Sequence, residues 1–428
     1  MIKVEREPTS TGFDTLVVDG RYFHSRVNPR KEASRAASAV APDALALILS
    51  PGLGYLADAL KPRDVISVER HPQLAVLRPD LNSLVHPSCE ELERLVETLA
   101  AERRPKIAVL TGAHREEDHE YYESLRKAIT RALEKSVERI LTTDAFAKVW
   151  ERNLRANVMR ILQARNGEVS WSSALEPRLR GSHCVLLSAG PTLGEELPLL
   201  SKMLHRGKYL ILVVDSALPA ALSAGISPDL VFTIDPQPVK AAVLSNLEDI
   251  PLVASVLSPP EILARAGRLY LFGQGHPMEP SVGVPLAEMI QELGGSVATA
   301  AATIAVRHGA ATLVLAGQDL AFIGDRTHVR GAAQEAASAA GLERFSTMEH
   351  AKMRTMIGRN LRCVPSVADG MVMTTPVMDS YRIYLERLAR DNPGTRFVHT
   401  SSRGARMAMP HLSLAEWLNE FGSGADKV

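Results

Sequence analysis

The polar chemistry of this chain stands where its apolar runs stop. CVLLSAGPTL carries Gly190, Pro191 and Thr192 just after an apolar run. Gly190 and Pro191 force a tight turn, and Thr192 can cap a helix starting near Leu193. A helix N-terminus there offers N–H groups and the positive end of a dipole to a phosphate; an ordinary capped helix has the same sequence. VVDSAL puts Asp215 and Ser216 at the end of the next apolar run. TIDPQP puts Asp235 and Gln237 at the end of the one after, where Pro236 stops the strand. Asp229, in SPDL, reads as a plain turn residue. LVLAGQDLAF closes on Gly317, Gln318 and Asp319, and a carboxylate ending a buried strand is more often functional than structural. GGSVATA opens a run of small residues with Gly294, Gly295 and Ser296, a second candidate turn for a phosphate or a base. His328 follows in the loop RTHVRG. With an ordinary pKa near 6.5 it can serve as general base or acid, or it can be a solvated surface histidine. Successive strand ends that each carry polar groups ask for more than solvation.

The segments that must position these residues alternate between strand and helix patterns. The class implied is α/β, with two doubly wound, Rossmann-like domains in tandem. The first spans 1–170. FDTLVVDGRYFHS alternates about an Asp19-Gly20 turn and reads as a hairpin. ALALILS, DVISVERHP and PKIAVLTGA then supply strands, with helices in YLADAL and ELERLVETLAAE. A helix capped by Asp144 is expected to run to about Arg165, and the turn-rich NGEVSWSSALEPRLRGSH marks the boundary. The second domain spans 171–410 and contains an Ala-rich, then basic, helical insertion at 331–362. A terminal helix with a Ser413-to-Glu416 capping box and a disordered tail complete 411–428. GLGYLA, Gly52 to Ala57, lies between a strand and a helix, with Glu69 ending the next strand. That layout can hold a dinucleotide or an S-adenosyl nucleotide. Tight βα turns use glycine for backbone reasons in any case, and Pro51 departs from the usual pattern, so this block is read as structural.

Composition narrows the function classes. Lys plus Arg and Asp plus Glu both number 49, so no whole-chain field favours nucleic acid or an anionic membrane. The three cysteines, Cys89, Cys184 and Cys363, are far apart, which suggests neither a disulfide framework nor a zinc site. No D-x-D pair or histidine spacing marks a metal site, and no apolar stretch approaches the roughly 18 residues of a membrane span. The charged N-terminus MIKVEREPTS has no apolar signal region. A cytoplasmic protein is the expectation.

In their order and spacing, GLGYLADAL, SAGPTL, VVDSAL…ISPDLVFTIDPQ, GGSVATA, AGQDLAF…THVRG and DGMVMTTPVM…RFVHTSSRGA resemble the motility-associated factor (Maf) family of bacterial flagellin glycosyltransferases. The resemblance covers most of residues 40–406. It implies transfer of a nonulosonic sugar (sialic, pseudaminic or legionaminic type) from a CMP-activated donor to Ser or Thr hydroxyls of flagellin. Flagellin and the nucleotide-sugar donor are then the partners, and no tightly bound cofactor is expected. The central domain of that family looks like that of bacterial sialyltransferases. By that likeness Gly190 to Thr192, Asp215 to Ala217 and Gly294 to Ser296 hold the nucleotide, with Gln318 beside them. His328 is then the base, and Asp319 or Asp235 orients sugar or acceptor. Ala189 and Thr192 stand where sialyltransferases favour Asn and Ser, so cytidine contacts differ. The same domain family includes archaeal pterin pyrophosphokinases (MptE-like), which keeps ATP- and Mg²⁺-dependent diphosphate transfer as an alternative. A non-catalytic flagellin-binding protein is a third.

Overall fold

The computed structural model describes residues 2–103, 106–202, 209–237, 244, 247, 249–324, 326–332 and 361–423. The chain divides into two compact units, Met1–Asp144 and Ala145–Val428.

The first unit opens with antiparallel β1 (Val4–Pro8), β2 (Asp14–Val18) and β3 (Arg21–Tyr22). The β2–β3 turn is the expected Asp19-Gly20, with φ of 47° and 81°, the left-handed pair that matches strand twist in a two-residue hairpin. A parallel sheet follows, formed by β4 (Leu45–Leu49), β5 (Val65–Glu69), β6 (Leu84–Val85) and β7 (Ile107–Thr111) in the order β6-β5-β4-β7. β4 is LALIL and buried throughout, as a strand covered on both faces must be.

The second unit holds an eight-stranded sheet, parallel at every pairing. Its first six strands in sequence are β8 (Ser170–Trp171), β9 (His183–Leu187), β10 (Leu210–Val214), β11 (Leu230–Thr233), β12 (Leu252–Ser255) and β13 (Leu269–Phe272). β14 (Thr312–Ala316) comes next, then a hairpin of β15 (Arg362–Pro365) and β16 (Met371–Thr374), then β17 (Arg396–His399). The order across the sheet is β17-β14-β9-β10-β11-β12-β13-β8. From β9 the chain steps one way to β13; it then returns through the Val297–Arg307 helix to β14 on the other flank of β9. The direction of winding reverses between β9 and β14. Loops on either side of such a point leave to opposite faces and open a crevice at the carboxyl edge. Ala298, Ala300, Ala301, Ala302 and Ala305 are buried, and these small side chains let the returning helix lie close across the sheet.

The doubly wound α/β class holds for both units, while some boundaries differ from those expected. The long helix begins at His119 and runs through Asp144 to Ala156, because helix-forming residues continue without a break; Asn157 then separates it from the Val158–Arg165 helix. The division falls at Asp144 and not at 170. Leu154, Ile161 and Ala164 belong to the second unit's core, and β8 pairs with β13. The Leu414–Ser423 helix is no separate piece either, since Leu414, Trp417 and Leu418 pack in that same core. Its expected capping box is present: Ser413 N donates to Glu416 Oε2 at 2.7 Å and Glu416 N to Ser413 Oγ at 3.2 Å. Most of the helical insertion expected at 331–362, with Arg344, Lys352, Arg354 and Arg359, lies outside the described residues, as do 424–428. Arg362 is described and opens β15, not a helix. Among the described residues no helix is long and apolar enough to cross a membrane.

Candidate active site

At the winding reversal the turn after β9 meets the turn after β14. The two are tied backbone to backbone, with Gly190 N donating to Gly317 O at 2.8 Å. Gly190 is required by this approach: a Cβ there would collide with the Gly317 carbonyl oxygen and lie 2.6 Å from Asp319 Oδ2. Thr192, just before its helix, is held by the other turn: Asp319 Oδ2 accepts from Thr192 N at 2.8 Å and Oδ1 from Thr192 Oγ1 at 2.5 Å. Ser401 Oγ, just past β17, also donates to Oδ1. Asp319 is 1% exposed. Burial pushes its pKa above the ordinary carboxylate value, against the three hydrogen bonds that favour the charged form. Leu320, next in the chain, has φ 51°, a conformation that non-glycine residues hold only when the surroundings enforce it. Thr374 Oγ1 donates to its carbonyl at 2.6 Å.

A second buried carboxyl lies under the first. Glu196, one turn into the Leu193–Lys202 helix, accepts from Gly317 N at 2.7 Å and from Thr400 Oγ1. Burial is the main cause that raises its pKa to about 7. His399, ending β17, is buried and held down at about 4, chiefly by burial; its Nε2 lies 3.2 Å from Gln318 O. Ser188 Oγ and Gln318 Oε1 are buried without a hydrogen-bond partner among the described residues. Such atoms cost free energy unless something binds them.

The other expected site residues lie along the same carboxyl edge, each with local roles. Asp215 follows β10, fully buried, and accepts from Ser216 N at 2.6 Å and Thr233 Oγ1 at 2.9 Å. Asp235 follows β11, half-buried, and accepts from Gln237 N at 2.9 Å. Gly294 and Gly295 have φ of 70° and 88°, and Tyr384 packs so closely on Gly294 that a Cβ would overlap its ring. Ser296 forms a capping box with Thr299, Thr299 N donating to Ser296 Oγ at 3.1 Å and Ser296 N to Thr299 Oγ1 at 2.9 Å. The returning helix runs against its strands, so this N-terminus faces the carboxyl edge. His328 lines a cavity of about 330 Å³ with Pro191, Gly194, Leu197, Ser223 and Arg326. Its Nδ1 is 2.9 Å from Thr327 Oγ1, and Val329 N donates to Ala189 O at 2.8 Å, fastening this loop to the β9 turn. His328 is thus beside Pro191, on the side of the Leu193–Lys202 and Leu218–Ser223 helices. Glu196, Thr400 and Ser401 were not singled out from the sequence. The hydroxyl run in RFVHTSS, ending a strand, was the available signal; nothing local marks Glu196.

In the first unit the glycine turn is already occupied. Leu53 N donates to His24 Nε2 at 2.8 Å and Arg78 Nη1 donates to Leu53 O at 2.8 Å. These side chains cover Gly52 and Gly54, where a ligand's phosphates would have to approach. Burial lowers the pKa of His24 to about 4, which keeps Nε2 an acceptor. Glu69, the expected ribose ligand, is buried and accepts from Tyr122 Oη at 2.9 Å.

Three comparisons bear on this arrangement. Residues 160–325 match the family described as 6-hydroxymethylpterin diphosphokinase MptE-like. Two uncharacterized proteins of Treponema pallidum (strain Nichols) are similar over shorter stretches. One is 34% identical over 164 residues (34% of this chain, 42% of that protein) and the other 28% over 101 residues (23% and 42%). The chain therefore spans less than half the length of these curated relatives. The solved structure of the Maf glycosyltransferase from Magnetospirillum magneticum AMB-1 matches with a TM-score of 0.56 at 12% identity, covering 99% of this chain and 73% of that one. The chain thus has the fold of the Maf glycosyltransferase over nearly its whole length, built around an MptE-like segment at residues 160–325.

Proposed function

We propose that the protein is a cytoplasmic glycosyltransferase that moves a nonulosonic sugar from a CMP-activated donor to Ser or Thr hydroxyls of flagellin, in the service of motility. The observation that carries this reading is the clasp at the winding reversal, where Asp319 holds the turn after β9 by its backbone and hydroxyl. A turn fixed in that way has its helix N-terminus organised before a phosphate arrives, which is where transition-state charge can be met without reorganisation. The donor phosphate rests on Gly190, Pro191 and Thr192, and the Gly294, Gly295 and Ser296 turn faces it. Asp215 and Ser216 meet the nucleoside, and Gln318 reads it through its Oε1, unpartnered among the described residues. His328 takes the proton of the acceptor hydroxyl as its oxygen attacks the anomeric carbon. The bond from that carbon to the phosphate oxygen breaks, CMP leaves with the electron pair, and the configuration inverts. Asp235 orients sugar or acceptor. Asp319, with both oxygens engaged, acts through the turn.

The match of residues 160–325 to the MptE-like family favours one rival, ATP-dependent diphosphate transfer to a pterin. Thermal-shift titration separates the two. CMP or a CMP-sugar at about 100 times its Kd should stabilise the protein by roughly 2.7 kcal/mol, with Mg-ATP giving no shift. Stabilisation by Mg-ATP and a pterin, with none from CMP, would replace this reading by the rival.

A further inference from the structure

Away from the phosphate turn, at the ends of β11, β12 and β13, lies a group of polar side chains that the reaction above does not use. Trp150, Asn153 and Asn157 are spaced three and four residues apart, so they share one face of the chain as it leaves the long helix. Asn153 Nδ2 donates to Pro236 O at 2.9 Å and Leu257 O at 3.0 Å. Asn157 Nδ2 donates to Val256 O and Ser258 O, both at 2.8 Å. Because both partners of Asn157 Nδ2 are carbonyl oxygens, the orientation of that amide is fixed. Gln274 Nε2 donates to Ser255 Oγ at 2.7 Å, and His276 stands edge-on to the Trp150 ring at 6.0 Å.

Three buried atoms in this group have no partner among the described residues: Asn157 Oδ1, Ser258 Oγ and Trp150 Nε1. Asn157 and Ser258 are at most 1% exposed. One atom accepts, one donates and one does either, beside a half-buried indole face. An amide that spends both donors on clasping strands explains Asn153. It does not explain the unused acceptor on Asn157 or the unused hydroxyl beside it, each of which costs stability while unpaired.

We infer that this group is the subsite for the hydroxyl-rich, uncharged part of a sugar, distal to the phosphate. Mixed donors and acceptors next to an aromatic face suit hydroxyl and amide groups on a ring; no lysine or arginine is among the seven residues, and the Arg152 guanidinium that touches them donates to Asn153 Oδ1 at 3.4 Å. Asp235, adjoining the clasped Pro236, lies between this subsite and the turn after β9. The inference rests on the glycosyltransferase reading.

Isothermal titration of the full chain with CMP and with CMP-N-acetylneuraminic acid tests it. CMP affinity reports the nucleotide reading, and the gain of the CMP-sugar over CMP reports the subsite. Ser258→Ala should cut that gain about 5- to 10-fold, the worth of one hydrogen bond, with CMP affinity and melting temperature unchanged or higher. Trp150→Leu should cut it by about tenfold or more, since stacking and an N–H are lost together. A gain that survives both substitutions, or its absence from the unaltered protein while CMP binds, overturns the subsite and leaves the function standing. Failure of CMP itself to bind removes both.

Discussion

Asp319 is the residue on which three strand ends converge, since it holds Thr192 after β9 and Ser401 after β17 from its own place after β14. Sequence alone identifies it as a polar strand end but not as a clasp, because its partners lie 127 and 82 residues away. His328 has the opposite character. Its value depends on what reaches the cavity beside Pro191, so His328→Ala should lower transfer by roughly 10²-fold or more, as loss of a general base does. On the proposed reading CMP affinity should barely move, because the turns and not His328 would hold the nucleotide. Near-normal transfer by that variant, measured with donor and flagellin, would pass the role to another group. Glu196 makes a pH prediction. Its folded pKa of about 7 lies above the ordinary 4.5, so the folded state binds the proton more tightly than the unfolded one. The stabilisation is complete below about 4.5 and is lost as pH rises through about 7. Glu196→Gln keeps an acceptor for Gly317 N without the ionisation. Melting temperatures of the parent should therefore fall relative to the variant between about pH 5 and 8, by the equivalent of up to about 3 kcal/mol. Parallel curves for the two proteins would show that Glu196 is not neutral in the fold.

Elements differ in how much they declare. β4, β9 and β14 are five-residue strands of mostly apolar residues, buried nearly throughout, and such short apolar runs bounded by turn signals read as buried strands. The glycine turn at Gly52 to Ala57 reads equally as a nucleotide site or as a tight corner. The arrival of His24 and Arg78 on Leu53, which no local pattern announces, supports the corner. Gly54→Ala should therefore lower the melting temperature, because φ there is 75° and Arg78 would have to move. The affinity for CMP should stay as it was. A drop in CMP affinity with the fold intact would make the first unit part of the binding machinery. The long helix starts at His119 and not at Asp144, because a good capping residue can equally sit inside a helix once the residues before it are also helical.

At the scale of the whole molecule, the chain folds as two units whose division lies inside a continuous helix. Composition does not change at Asp144, whereas the polar stretch after Gly167 looks like a linker and is in fact where β8 joins the larger sheet. Leu154 and Ile161 share one core with Trp417 from near the other end of the chain, which no local pattern announces.

What the sequence determined by itself was whatever depends on neighbours within a turn or a strand. That includes the α/β class, the Asp19-Gly20 hairpin, the Ser413–Glu416 cap and the polar strand ends at Gly190, Asp215, Asp235 and Gln318. The tertiary structure decided which of these groups meet, because strand order and the reversal between β9 and β14 are set by packing across the whole sheet. It also decided which polar atoms are already satisfied. Asp319 is engaged on both oxygens, while Ser188, Gln318, Asn157 and Ser258 each keep an atom unpaired among the described residues. Hydrogen-bond satisfaction is a property of distances between remote residues, and a one-dimensional pattern carries no such distances.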